Sequence, residues 1–385
     1  MPQFSALIQA LRASSTIAFN AKALELKRAG VDVIAMTAGE PDFQPPAHVL
    51  AAAHEAIDRG MTKYTASEGT LELRQAIVNK HARENGLAFT PDQVVVSTGG
   101  KQSLYNAFMS ILDPGDEVIV PAPYWVSYPA QIQLAGGVTV PVACRAEDGF
   151  VPDPEAIAAA ITPRTRAIVV NSPSNPTGAV VPEGVLKAIA DLAEQHDLWL
   201  VSDELYEHLV YEGTFTPVAQ WYPERTVLVH GASKGYALTG WRIGWACAPV
   251  ALAKAMNRLQ GQVTSNANAV AQYATQVALE SVEATAAFQA MTRAAYRERR
   301  DLLVAGLNDL GLPTPMPHGA FYAMADLRTI DPDETVAATV LLEQARVAVV
   351  PGTDFLAPGF ARLSYACSTG QVAEAVQRIA AVVGR

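Results

Sequence analysis

Between residue 70 and about residue 280, short apolar runs alternate with longer segments whose apolar positions recur at helical spacing. The runs predict strands at Val94–Thr98, Glu117–Val120, Val138–Val142, Ala167–Asn171, Leu198–Ser202 and Thr226–His230. Helices are predicted over Gln102–Leu112 and Pro182–His196. Strands that are apolar throughout and separated by helices imply an α/β arrangement, a mostly parallel sheet with helices on both faces. After residue 281 the pattern changes to a long helix over Glu283–Leu310, short strands at Ala320–Asp326, Val347–Val350 and Ala361–Tyr365, and two more helices, which describes a smaller α+β domain. Before residue 70 come an arm, an amphipathic helix ending at Ala29–Gly30, a strand at Val33–Met36 and a helix over Ala47–Arg59. The expected division is therefore residues 1–45 as an arm and part of the small domain, 46–280 as a large domain and 281–385 as a small one.

In open parallel sheets, ligands bind in the crevice beyond the carboxyl ends of the strands. Gly99, Gly100 and Lys101, the pair Tyr124–Trp125, Asn175, Asp203 and Lys234 each follow closely on a predicted strand. One edge of one sheet could gather them all. Each also has a plain structural reading: Asp203 as a helix cap, Asn175 as a turn residue beside Pro176, Trp125 as core packing, and the double glycine as a tight turn.

The stretch GASKGYALTGWRIGWA, residues 231–246, sets Lys234 beside Ser233, among glycines at 231, 235, 240 and 244, with Arg242 farther along. An amine among glycines suits covalent capture of a carbonyl compound, and a nearby guanidinium suits a phosphate. Pyridoxal phosphate carries both groups. Arg362 sits in the apolar strand ARLSY. It reads either as an edge arginine facing water or as a bidentate clamp for a carboxylate.

Composition narrows the classes. Of the 385 residues, half are hydrophobic and 17% charged, which describes a globular chain long enough for two domains. The net charge of -10, with no basic run, argues against nucleic acid and anionic membranes as partners. No long apolar segment or secretory leader is apparent, and Cys144, Cys247 and Cys367 lack the spacing of a disulfide framework or metal knuckle. A reduced, cytoplasmic setting is expected, and no metal site.

The set TAGEPDF, Lys63–Tyr64, NSPSNPTG, VSDELYEHLVY, SKGYALTGWRIGWA, VPGTDF and RLSYA closely resembles the class I aminotransferases, fold type I pyridoxal-phosphate enzymes, and within them the bacterial aspartate aminotransferase subgroup that includes prephenate aminotransferases. The resemblance covers nearly the whole chain. It implies that Lys234 bonds covalently to the cofactor's aldehyde and later moves a proton, and that Asp203 keeps the pyridine nitrogen protonated. Asn175 and Tyr206 would hydrogen-bond the phenolic oxygen, and Trp125 would stack on the ring. Arg242, Ser233 and the glycine turn Gly99–Gly100 with Lys101 would hold the phosphate, joined by Tyr64 of a neighbouring subunit in a homodimer with shared active sites. Many relatives have serine or threonine where this chain has Gly231.

For substrates the resemblance implies that Arg362 grips the α-carboxylate, helped by Trp125, Asn175 and the backbone at Gly39, and that Lys101 meets a second carboxylate. Arg12 and Thr16 resemble a basic residue and threonine of members that also take prephenate, although a solvated arm charge explains Arg12 equally well. The segment TSNAN, residues 264–268, departs from close relatives. The expected activity is ping-pong transfer of an amino group from aspartate or glutamate to 2-oxoglutarate or a similar 2-oxo acid. Alternatives are an aspartate/glutamate–prephenate aminotransferase, a lyase on the same scaffold, or a cofactor-sensing regulator, for which no DNA-binding segment is seen.

Overall fold

The computed structural model describes residues 4–11 and 15–384, the first few of the second segment by backbone alone. Twelve strands are assigned among them: β1 (Ile34–Ala35), β2 (Val94–Thr98), β3 (Glu117–Ala122), β4 (Val138–Ala143), β5 (Thr165–Asn171), β6 (Trp199–Asp203), β7 (Thr226–Gly231), β8 (Ile243–Cys247), β9 (Tyr322–Asp326), β10 (Val347–Ala348), β11 (Val350–Pro351) and β12 (Phe360–Ser364). The central sheet has seven strands in the order β2–β8–β7–β6–β5–β3–β4. The pairs β3–β4, β3–β5, β5–β6 and β6–β7 are parallel, whereas β8 runs antiparallel to both β2 and β7.

Strand β8 is the one member of this sheet that the pattern of strands and helices does not announce. Its residues, IGWAC, lie inside the glycine-rich stretch and follow β7 with only a single 3-10 turn, Thr239–Trp241, and no α-helix between them. The reversal has a consequence for chemistry. Because β8 starts at the edge where its neighbours end, Arg242, just before it, reaches the same edge as Asp203 and Lys234.

Helices pack on both faces because the strands bury alternate residues to opposite sides. Along β3, Val118 and Val120 join Leu104, Phe108 and Met256 in one core, while Ile119 joins Ile168, Leu186, Ile189 and Leu200 in another. Each fully buried side chain of this size contributes about 1.5–3 kcal/mol relative to exposure. The helix Leu71–Asn85 shows why such segments start and stop where they do: the Thr70 hydroxyl accepts the Leu73 amide, and Gly86 ends it at φ 67°.

The C-terminal strands form a separate three-stranded antiparallel sheet, β11–β12–β9, covered by the helices Val282–Asp309 and Thr369–Val383. Strand β1 pairs in parallel with β10, and Ile34 and Met36 enter the same core as Leu303, Phe321 and Leu363. Strand β12 is central in its sheet and Arg362 is only 3% exposed, so the reading of Arg362 as an edge residue facing water is excluded. Among the described residues, no helix is long and apolar enough to cross a membrane.

Candidate active site

A cleft of about 530 Å³ opens between the carboxyl edge of the seven-stranded sheet and the three-stranded sheet. Of the residues singled out from sequence, Gly39, Gly100, Lys101, Trp125, Asn175, Asp203, Tyr206, Ser233, Lys234, Arg242 and Arg362 line it. Gly99 stands one residue behind the lining and caps the helix Gly100–Ile111 at φ 81°. A side chain there would meet the Arg242 guanidinium, so the bare glycine lets the arginine lie against the helix start. The Gly100 amide approaches β8 so closely that Gly244 cannot carry a Cβ. A helix N-terminus and an arginine thus converge at one end of the cleft, an anion-binding arrangement.

The Asp203 carboxylate, at the end of β6, is 4% exposed and receives two donors: the Tyr128 hydroxyl at 2.6 Å and the Leu205 amide at 3.3 Å. Burial pushes its pKa up to about 6, opposed by the Tyr128 bond. Its position is fixed further by Asn171, whose Nδ2 donates to the Asp203 carbonyl at 3.0 Å. Lys234 extends its ammonium to the Gly39 carbonyl oxygen. Burial lowers the amine to about 8, with Glu40 opposing that shift. No carboxylate among the described residues lies within ion-pair distance of Lys234, which leaves the amine free for chemistry.

Arg362 comes from the opposite wall. Its two terminal nitrogens donate to Asn175 Oδ1 at 3.0 Å and to the Thr37 carbonyl at 2.9 Å, and its Nε has no partner. No carboxylate pairs with it among the described residues, and its guanidinium lies 4.5 Å from the Tyr322 ring centre. The Tyr206 hydroxyl shares a 2.9 Å hydrogen bond with the Tyr322 hydroxyl. Lys101 places its ammonium 4.9 Å from the Trp125 ring centre, and Trp125 meets Tyr128 edge to face at 5.4 Å.

Not every expected residue is in this cleft. Tyr64 is 92% exposed and borders a different groove, shared with Asn266 and Asn268 of the TSNAN segment. Arg12 lies outside the described residues, and Thr16 is described by backbone alone. At Gly231 a Cβ would press on the Ile243 carbonyl at 2.9 Å and on Gly244 Cα at 3.0 Å, so the turn has no room there for a hydroxyl side chain.

Several lining residues were not singled out from sequence: Thr37, Glu40, Tyr128, Asn171, Thr239 and Tyr322. Glu40 lies within TAGEPDF and accepts a hydrogen bond from the Thr239 hydroxyl at 3.0 Å. Tyr128 follows Trp125 on the next turn, which was the available clue, but a tyrosine in an apolar helix reads first as core. Nothing in the sequence ties Tyr322 to Tyr206.

Comparison with known proteins gives one answer throughout. The family model described as aminotransferase class I and II matches residues 31–379. An aspartate/prephenate aminotransferase of Thermus thermophilus is 55% identical over 385 residues, covering all of both chains. One of Cereibacter sphaeroides is 49% identical, covering 96% of each. Among solved structures, an aspartate aminotransferase from Thermus thermophilus with maleate superimposes at a TM-score of 0.98 with 55% identity, over 99% of this chain and 100% of that one. On the full-length match of sequence and structure, the chain belongs to the class I and II aminotransferases.

Proposed function

We propose that this aminotransferase uses pyridoxal 5′-phosphate to transfer the amino group of aspartate or glutamate to 2-oxoglutarate or a similar 2-oxo acid. The observation that carries the reading of the substrate as an amino acid is Arg362: a buried guanidinium without a carboxylate partner among the described residues, facing a cleft that holds an amine and a carboxylate. A buried unpaired cation is costly, and a substrate's α-carboxylate would complete it in bidentate fashion.

The residues fit the cofactor. The amides at Gly100 and Lys101, with Ser233 and Arg242, would form an anion cradle for the phosphate. Asp203 offers a buried carboxylate for a protonated ring nitrogen, and that cation would draw its raised pKa down again. Asn175 and Tyr206 would meet the phenolic oxygen, Trp125 the ring face, and Lys234 the aldehyde. When bound, the cofactor supplies an electron sink for the charge that develops at the substrate's α-carbon.

The chain's own groups do the remainder. Arg362, assisted by Asn175 and the main chain near Gly39, orients the donor, and Trp125 closes one side of the cleft over it. Lys101 would receive the distal carboxylate, which selects aspartate and glutamate over neutral amino acids. Lys234, with its pKa lowered to about 8, is unprotonated often enough near neutrality to take a proton from the α-carbon and return one. The product 2-oxo acid leaves before the acceptor binds, and the second half-reaction reverses the first.

The active unit is proposed to be a cytoplasmic homodimer in which each protomer lends Tyr64 to the cleft of its partner. The exposed position of Tyr64, away from its own cleft, supports that reading. The names of the Thermus and Cereibacter relatives favour prephenate as a second acceptor, for which the sequence resemblance offers Arg12 and Thr16 as contacts. The deciding experiment is single-turnover absorbance with aspartate, glutamate, phenylalanine, alanine and arogenate offered in turn. Conversion by the acidic donors, restored by 2-oxoglutarate, supports the assignment; response to neutral donors alone sinks the roles of Lys101 and Arg12, and response to arogenate makes prephenate the acceptor to test next.

A further inference from the structure

Outside the cleft, a second group of charged and polar side chains is closely connected, with His208 Nδ1 and His230 Nε2 left without hydrogen-bond partners among the described residues. Lys80, with no exposure, donates to Glu207 and, at 2.9 Å, to Asn85 Oδ1. Asn85 returns a bond from Nδ2 to Glu207 Oε2 at 3.0 Å. Glu207 Oε1 lies 2.9 Å from His230 Nε2, while the Nδ1 of the same ring accepts the Gly231 amide at 2.7 Å. The Gly231 bond fixes the tautomer: Nδ1 is the acceptor, so Nε2 carries the proton and faces the Glu207 carboxylate, close to it but without the alignment of a hydrogen bond.

A second histidine is set the same way. Trp245 Nε1 donates to His81 Nε2 at 3.1 Å, so the proton of His81 is on Nδ1, which donates to Asn85 Oδ1 at 2.9 Å. The His230 ring stacks on Trp245 at 4.9 Å and 26°. One buried network therefore joins the helix Leu71–Asn85, the segment after β6, the end of β7 and the strand β8. Donor atoms of Glu207, His208 and His230 lie within 4.8 Å of one another, near enough for a metal ion. The cation already serving that carboxylate, however, is the Lys80 ammonium, and a divalent ion would have to displace it.

The network ends on Gly231, the first residue of the turn that carries Lys234. Cross-strand pairing here passes through the next amide, from Ala232 to the Ile243 carbonyl at 3.0 Å, so the Gly231 amide relies on the histidine. We infer that His230 is a positioning residue for the reaction: by accepting the Gly231 amide while its Nε2–H packs against the Glu207 carboxylate, it ties the start of the Lys234 turn to the helix Leu71–Asn85. The inference rests on the reading of Lys234 as the amine that captures the cofactor and moves the proton. A glycine-rich turn has little stiffness of its own, and a small misplacement of a reacting group is expensive in rate.

The test uses the full chain and two near-isosteric substitutions. His230→Asn can place an oxygen where Nδ1 was and keep the Gly231 bond; His230→Gln can keep an N–H facing Glu207 but leaves the amide unpaired. In cofactor-free protein, amide exchange over residues 231–238 is expected to speed up about tenfold in H230Q and to stay within about twofold in H230N. In loaded protein H230Q is expected to lower kcat about tenfold at unchanged KM for aspartate and to move the midpoint of the cofactor's absorbance titration, with H230N recovering most of both.

Equal exchange in the two variants, or a lowered melting temperature without faster exchange over 231–238, overturns the assignment. If H230Q does not fold, Glu207→Gln serves instead, and unchanged exchange in that variant is equally adverse. Failure of the Lys234 reading would show separately, as turnover retained by Lys234→Ala while the exchange pattern stands.

Discussion

Lys80 and Lys234 are both amines drawn into the protein, and they are held in opposite ways. Lys80 is enclosed by Glu207 and Asn85, with Glu84 at 3.6 Å. Lys234 touches a single backbone carbonyl and faces the cleft. The same contrast separates two buried arginines. Arg300 has Glu212 at 3.0 Å, Asp301 at 2.6 Å and the Pro317 carbonyl at 3.0 Å, whereas Arg362 has no carboxylate among the described residues and an orphaned Nε. Removing a charge from water is costly in each case. In one region the cost is offset by carboxylates of the fold itself; in the other no such carboxylate is present among the described residues, as the proposed ligand site requires.

That contrast predicts where function and stability will separate. Lys234→Ala is expected to reduce transamination by about 10⁴-fold or more while leaving the melting temperature nearly unchanged, read by single-turnover absorbance and calorimetry. Full turnover by that variant would remove the amine from the mechanism.

Arg362→Met is expected to lower kcat/KM for aspartate by about 10²–10³-fold, because it removes the bidentate partner of the α-carboxylate. The same substitution should leave the cofactor-free protein as stable or more so, since it deletes an unpaired buried charge. A large loss of stability would show that Arg362 is structural. Lys80→Met should do the reverse, destabilising the chain by about 3 kcal/mol in denaturant titration, because Glu207 is left buried and short of its cation. If Lys80→Met costs nothing, the distinction between the two regions fails.

The smallest effect expected is that of Tyr128→Phe, about 1 kcal/mol or about fivefold in cofactor affinity, from the loss of one charge-assisted bond to Asp203. The sign with pH follows from the raised Asp203 pKa of about 6: below it the carboxyl is protonated and cannot pair with a cationic ring, so cofactor uptake weakens as pH falls through that value. Losing the Tyr128 donor, which holds the pKa down, should move the midpoint upward. A midpoint that moves downward or not at all would show that Tyr128 does not stabilise the anion.

Much of the site was legible because the parallel strands of the large sheet are apolar along their whole length. Their ends could be placed within a residue or two, and Asp203, Lys234 and the Gly99–Lys101 turn stand at or just beyond those ends. Asn175 and Trp125 were legible for the same reason. Arg242 was found by its residue type beside the lysine, but not by its place in the sheet, since β8 carries no α-helix before it and sits in a glycine-rich stretch. The groups that tune the site were not legible. Tyr128, Tyr322 and Glu40 have ordinary neighbours in sequence, and only long-range packing brings them against Asp203, Tyr206 and Lys234.

By itself the sequence determined the residue types of the chemistry and the edge at which they gather, because strand periodicity and the carboxyl-end rule are local properties of a chain. Tertiary structure alone decided which buried charges are satisfied. Lys80 and Lys234 look alike in a string of letters, as do Arg300 and Arg362. Their difference is a matter of which carboxylates, remote in sequence, arrive within hydrogen-bonding distance, and that is fixed only when the sheets and helices close on one another.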